Sequence, residues 1–370
     1  MDEFNKAVVR RTVHNFYVSD KCVPTVEKLR LRLSEAIDFK GSNTSLRRIL
    51  KELGFKWRKT RNNRRILIER EDIRNKRINF IRQMRQFRRE GRPIVYTDET
   101  YVVTNHATPS SWQDSTNGGL HVPVGNGDRL IIVHAGGEDG FIPNTFLQWK
   151  ASQSTGDYHK NMNTVNYEKW VQEKLLPNLK PRSVIIIDNA SYHNVTLDKI
   201  PTKSSLKADM QAWLTQHNID FTPTMFKAEL LNLIQQNKPP TRYSLDEILE
   251  GNDSGHTVLR LPPYHPDLNA IELIWSQIKG YVAERNTQFN MNSIMRLVEA
   301  KVSEIGASEW EKCCSHVKSI EDQYFEREQL IDEFHDAVIV DLGQSDSEDS
   351  EGADEPSEGE EMDLSGIEEL

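Results

Sequence analysis

From Pro93 onward the chain alternates short apolar runs with amphipathic stretches, and this alternation narrows the folds open to it. The runs are PIVYTD, RLIIVHAGG, SVIIID and TVLRLP. Interspersed with them are VNYEKWVQEKLL, SLKADMQAWLTQH, TMFKAELLNLIQQN and AIELIWSQIKGYVAE, each with helical spacing of its apolar residues. Strands alternating with helices imply an α/β domain, with the helices packed on the sheet. No internal repeat is present.

The first seventy residues have a different texture. Phe4–Tyr17 reads as one helix. A second begins after Thr25, a good N-cap, and places Leu29, Leu33 and Ile37 on one face. A third begins at Ser42 or Asn43, has Leu46, Ile49, Leu50 and Leu53 at core spacing, and stops at Gly54. Three helices with a short Gly-containing turn before the last suggest a helix-turn-helix. FKWRKTRNNRRILI then alternates and turns at Arg61-Asn62-Asn63, as a β-hairpin wing would. Arg47, Arg48 and Lys51 lie on the polar face of the third helix. Lys56, Arg58, Lys59, Arg61, Arg64 and Arg65 crowd the hairpin. A helix in the major groove of duplex DNA and a cationic hairpin on its phosphates would use that arrangement. A solvated basic face on an ordinary helical bundle is the competing reading.

The charge balance supports a composite protein. Residues 1–93 carry 26 Lys and Arg against 11 Asp and Glu, whereas residues 341–370 carry 13 acids and no base. The overall charge of −9 therefore conceals a basic head on an acidic body. The acidic tail, about residues 336–370, has few apolar residues and is expected to be disordered; Ser345, Ser347 and Ser350 are candidate phosphorylation positions beside acids. The chain has no run long and apolar enough for a membrane span, and MDEFNKAVVRR has no secretory h-region. Three cysteines, Cys22, Cys313 and Cys314, argue against a disulfide framework and for a reducing compartment. The adjacent pair lacks zinc-site spacing and reads as helix packing.

Three carboxylates stand out. Asp98 ends the run IVYTD, Asp188 ends VIIID, and Glu272 falls on the first turn of an amphipathic helix after a Pro-rich loop. Carboxylates at strand ends are where α/β sheets place ligand and catalytic groups. Three of them are a minimal set of hard oxygen ligands for two magnesium or manganese ions roughly 4 Å apart across a phosphodiester. Taken singly, an Asp after a strand is often a cap or turn residue, and no periodicity joins positions so far apart.

What joins them is a resemblance. The ordered set YTDET, IIIDNASYH and LPPYHPDLNAIELIWSQIKGYV resembles the mariner superfamily of transposases, among the DDE recombinases of RNase H-like fold. RLIIVHAGGEDGFIP resembles that family's second and third strands, and the likeness spans about residues 4–330. It implies an RNase H-like mixed sheet flanked by helices, behind a helix-turn-helix. By analogy Asp98 bridges two metal ions, Asp188 ligates one and Glu272 the other. It implies DNA cleavage and strand transfer at the terminal inverted repeats of a transposable element, by a homodimer. A nuclear location is inferred from the basic hairpin KWRKTRNNRR, for which DNA binding is the other reading. Two alternatives remain: a host-domesticated DNA-binding protein without transposition activity, and another nuclease of the same fold.

The sequence departs from the family in three places. The spacing from Asp188 to Glu272 is more than twice the usual, which reads as a helical insertion at about 195–256; Asp220 and Glu229 lie nearer the usual spacing but lack the Pro-Asp-Leu-Asn context. One helix-turn-helix fits before Asp98, where the family usually has two. Ala270 replaces the usual Pro before Ile-Glu.

The expected organisation is 1–70 head, 71–92 basic helical linker, 93–335 catalytic domain and an acidic tail. Around the carboxylates, Asn189 and His193 are candidates to touch the scissile strand or order a water, with a loop hydrogen bond as the other role for His193. His265 is expected either to contact phosphate or to lie exposed. Asp267 is either a fourth metal ligand or a turn former. Lys279 is a candidate phosphate contact, and Trp275 packs the helix on the sheet. Glu99 should point to the opposite face of its strand from Asp98. The Gly-rich loop 110–127 is long enough to reach DNA or a partner subunit.

Overall fold

The apolar runs become one sheet and the basic head folds against it. The computed structural model describes residues 3–20, 24–59, 65–108, 123, 125, 127–151, 163–251 and 255–338. The head comprises α1 (Glu3–Val18), α2 (Val26–Ile37), α3 (Asn43–Glu52) and the antiparallel hairpin β1 (Phe55–Lys59) and β2 (Arg65–Glu69). The expected caps form: Thr25 Oγ1 accepts from Lys28 N and Ser42 Oγ from Ser45 N, both at 3.2 Å. Leu29, Leu33, Leu46 and Leu50 meet Val9, Val13, Phe55 and Leu67 in a core of the head's own. Gly54 ends α3 at φ 85°, where a Cβ would come within 2.2 Å of Ile73 Cδ1. The glycine thus serves both the turn and the close approach of the next helix. The turn at residues 61–63, most of loop 110–127, Cys22 and the acidic tail lie outside the described residues.

Helix α4 (Glu71–Arg89) differs from the expected linker. Phe80, Ile81 and Met84 are buried in the same core as Tyr96, Ile132 and Ile186 of the sheet. The basic residues concealed this: Arg74, Arg77, Arg85 and Arg88 are held by carboxylates of a later helix, so a stretch that reads as solvated is built into the body.

The sheet follows: β3 (Ile94–Val103), β4 (Arg129–Gly137), β5 (Gly140–Phe141), β6 (Leu147–Lys150), β7 (Val184–Ile187) and β8 (Thr257–Arg260). Strands β3 and β4 pair antiparallel, β5 and β6 both pair with β4, and β7 and β8 join in parallel in the order β5-β4-β3-β7-β8. This is the mixed RNase H-like sheet that the resemblance implied. One face is covered by α5 (Thr164–Trp170), which runs on into a π turn (Val171–Leu175), and by α8 (Ser244–Glu250). The other is covered by α4, α9 (Ala270–Arg285), α10 (Met291–Glu304) and α11 (Ala307–Val338). Strand β7 contributes Val184 and Ile186 to one core and Ile185 and Ile187 to the other, which is why it reads as an unbroken apolar run. Cys313 and Cys314 are buried free thiols in the α11 packing, as expected. No described helix is long and apolar enough to cross a membrane.

The long spacing between the second and third carboxylates has a structural account. Helices α6 (Lys207–Gln216) and α7 (Lys227–Asn237) pack on each other around Met210, Trp213, Leu230 and Ile234. The chain leaves and returns at a neck where Thr196 bridges Tyr243, with Leu197 N donating to Arg242 O and Ser244 N to Val195 O. The excursion is therefore shorter than 195–256: α8 lies beyond the neck and puts Leu245 and Leu249 into the sheet's own core.

A buried ionic network ties the head to this body. The Arg77 guanidinium, fully buried, reaches Glu69 of β2 at 2.8 Å and Glu328 of α11. Glu69 also takes Arg10 of α1, while Arg11 of α1 reaches Asp267 at 3.2 Å. His265 donates from Nδ1 to Pro263 O at 2.7 Å, which leaves Nε2 as an acceptor facing Arg77 at 3.2 Å. Burial and the nearby Arg10 and Arg77 keep His265 neutral, its pKa far below the ordinary histidine value, and burial does the same for His14 beside Glu69. A depressed histidine pKa stabilises the fold above the unfolded value of roughly 6.5, and that contribution is lost as pH falls below it. Thermal stability should therefore drop between about pH 7 and pH 5. His265→Gln, which keeps an acceptor for Arg77 but cannot titrate, should make the drop shallower; an unchanged pH profile by differential scanning fluorimetry would contradict this.

Candidate active site

Strand register brings the first two carboxylates together. Ile94, Val95 and Tyr96 pair with Val184, Ile185 and Ile186. Extending that parallel register by two residues sets Asp98 beside Asp188. Period-two alternation puts both on the face of Tyr96 and Ile186, where α9 packs. Glu272 enters from the first turn of α9, its amide donating to Asn269 O at 3.2 Å. Asn269 occupies the cap position without a side-chain bond, and the helix still begins at Ala270 despite the missing Pro. The preceding Pro-Pro-Tyr loop turns at Tyr264, whose φ of 63° is unusual for a non-glycine residue.

Asp98 lies within the fields of the other two carboxylates. Asp98 is 7% exposed. Burial, then the fields of Glu272, Asp188 and Glu99, push its carboxyl well above the ordinary carboxylate range. Clustered like charges in a dry site favour a neutral acid or a bound cation. Among the described residues no three His, Cys, Asp or Glu side chains already close on one point. The donors are the hard oxygens that magnesium and manganese take, so the set fits such an ion by chemistry.

Residues behind Asp188 set its orientation. His193 Nδ1 donates to Asp188 Oδ1 at 2.6 Å and Nε2 to Glu99 Oε1 at 3.4 Å. Burial alone would lower its pKa, but Glu99 and the bond to Asp188 outweigh it and raise the value to about 9. A charged imidazolium thus links two carboxylates at the sheet edge. His193 is 2% exposed, and its ring nitrogens are engaged by Asp188 and Glu99. Glu99 does point away from Asp98, and that is what lets it meet His193. Tyr167 of α5 packs on the His193 ring with centroids 4.2 Å apart. Arg260 of β8 donates to Asn194 Oδ1 at 2.7 Å and His193 O at 3.3 Å while paired with Asp246, fixing the loop. Nothing local in the sequence marks Tyr167, but a lone Arg inside the apolar run TVLRLP was a readable signal for Arg260.

The remaining candidates separate. Asn189 is exposed beside the site, and its amide donates to Leu261 O at 2.5 Å. Lys279 lies two turns beyond Glu272, half-buried, with Nζ 5.8 Å from the centre of the Tyr101 ring. His265 is neither exposed nor open to phosphate: it is 1% exposed inside the Arg77 network. Asp267 is buried in the loop before α9. It accepts from Tyr324 Oη at 3.0 Å and pairs with Arg11, locking the loop before α9 to α11 and the head. Trp275 is buried against the sheet, as expected. In the head, Arg47, Arg48, Lys51 and Lys56 are exposed. Arg58, Lys59 and Arg65 lie on the hairpin strands, and Arg61 and Arg64 lie outside the described residues.

A family model matches part of the chain. Residues 145–293 match the DDE superfamily endonucleases. The match takes in Asp188 and Glu272 and begins after Asp98. Among solved structures, the chain is similar to the Mos1 strand transfer complex at 14% identity and a TM-score of 0.41, over 90% of this chain and 79% of that one. It is similar to the Mos1 mariner paired end complex with Mn at 13% and 0.41, over 90% and 80%. The catalytic domain of Mos1 mariner transposase matches at 11% and 0.37, over 72% and 95%.

His193 carries a stability prediction. His193→Leu removes the buried cation between Glu99 and Asp188, which should cost about 3 kcal/mol in urea unfolding. A loss below about 1 kcal/mol would show that the pair is not held as described.

Proposed function

We propose that this chain is a DNA transposase of the DDE type, which hydrolyses phosphodiesters at element ends and transfers the freed 3′-hydroxyl strand to a target. The observation that carries it is the register of β3 on β7, which sets Asp98 beside Asp188 under the first turn of α9. The endonuclease match over residues 145–293 supports the same chemistry. Asp98, Asp188 and Glu272 would hold the divalent ions, magnesium or manganese, two in number. The ions would supply activation of the attacking oxygen and stabilisation of the leaving oxygen. The rest falls to the chain. His193 orients Asp188 from behind; the N-terminal dipole of α9 favours the Glu272 carboxylate; Lys279 would meet a phosphate. The head would read duplex DNA through Arg47, Arg48 and Lys51 on α3, with Lys56 and the hairpin bases on the backbone. A homodimer pairing two inverted-repeat ends, in the nucleus, completes the proposal.

The test is nicking of supercoiled plasmid with magnesium or manganese. Asp188→Asn and Glu272→Gln should each reduce nicking on the order of a hundredfold or more while leaving duplex binding intact. Wild-type protein that is folded and binds cognate duplex ends, yet does not nick, would replace this reading with that of a DNA-binding protein retaining the fold.

A further inference from the structure

Helices α4 and α11 enclose a groove of about 830 Å³, lined by Arg82, Arg85, Arg88, Arg89 and Lys318 against the single acid Asp322. Arg85 is fixed there by Asp322 at 2.7 Å and by the Phe325 ring, 3.8 Å from its guanidinium carbon. Arg88 is neutralised from behind by the buried Glu321. The other three differ: Arg82, Arg89 and Lys318 are exposed and make no ion pair among the described residues. Arg82 and Arg89 stand two helical turns apart on α4, about 10 Å along the axis, with Lys318 contributed from α11.

Like charges held together in a concave site repel one another, and an arrangement of fixed and unpaired cations is suited to a polyanion. The setting sharpens this: the body on which α4 packs carries 21 bases against 32 acids over residues 94–340, so the bases of α4 are set against an acidic surround. We infer that the α4–α11 groove is a second DNA-binding surface, which takes the phosphate backbone of duplex DNA beyond the segment read by the head. The inference rests on the proposed DNA chemistry and adds a surface to it. The N-terminal half of α4 is clamped to the head through Arg77 and Glu69, so the groove lies further along the helix that carries the head. A duplex leaving the head along α4 would pass it. The contacts are with phosphate and carry no base recognition.

The experiment uses the full chain and a long duplex of arbitrary sequence, measuring affinity against salt. Arg82→Ala/Arg89→Ala/Lys318→Ala is compared with Arg47→Ala/Arg48→Ala/Lys51→Ala in the head. The groove variant should retain its melting temperature, lose about tenfold in affinity at low salt, and flatten the slope of log K on log salt by about 2 to 3. An unchanged slope in the groove variant, with a flattened one in the head variant, would overturn the second surface and leave the transposase reading standing. Absence of duplex binding by the wild type would overturn both. A photo-crosslinking residue at position 318 identifies the occupant: adducts with DNA support the inference, whereas adducts with residues 341–370 formed in the presence of DNA would assign the groove to the chain's own acidic segment and overturn it.

Discussion

Holding Asp98 out of water, within the field of three other carboxylates, is the constraint around which this protein is built. An isolated charge there would be expelled or neutralised, and the raised pKa of Asp98 records that tendency. The position survives because its backbone has no freedom. Strand β3 is central, bonded to β4 along most of its length and to β7 on the other side. Apolar side chains fill both faces of that arrangement. The sheet therefore holds the acids in unfavourable proximity, and a divalent cation is the natural partner for such a cluster.

Each neighbouring element serves the same arrangement. The loop before α9 is fastened by Asp267 to Tyr324 and Arg11, and α9 carries Glu272 directly from it. His193 holds Asp188 from the far side, with Glu99 as its counter-charge. Arg77 then couples the sheet's helical cover to the head, since Glu69, Glu328 and His265 all converge on its guanidinium. The element that presents Arg47, Arg48 and Lys51 is thus packed against the same body that carries the carboxylates. Leaving any one of these buried charges without its partner would cost several kcal/mol, so the head and the third-carboxylate loop are energetically linked.

Much of this was legible from residues alone. Thr25, Ser42 and Gly54 marked helix boundaries through capping and turn chemistry that acts over three or four residues. The run VIIID marked a strand buried on both faces, and the family resemblance singled out Asp98, Asp188 and Glu272. What sequence could not convey was pairing between distant charges. Arg77 and Arg88 read as solvated bases because Glu328 and Glu321 lie more than two hundred positions away. His265 read as a loop histidine for the same reason. The neck at Thr196 and Tyr243 was invisible because a single bridge leaves no periodic signal, so the helical excursion was drawn too long.

Everything in the proposed chemistry requires that the three carboxylates form one divalent-cation centre. Calorimetric titration of the purified full chain with manganese tests it most directly, with wild type beside Asp98→Asn. The account predicts saturable binding of two ions by the wild type, accompanied by a rise in melting temperature, and loss of both in Asp98→Asn. Equal binding by the two proteins, with the same stoichiometry and the same thermal shift, would contradict it.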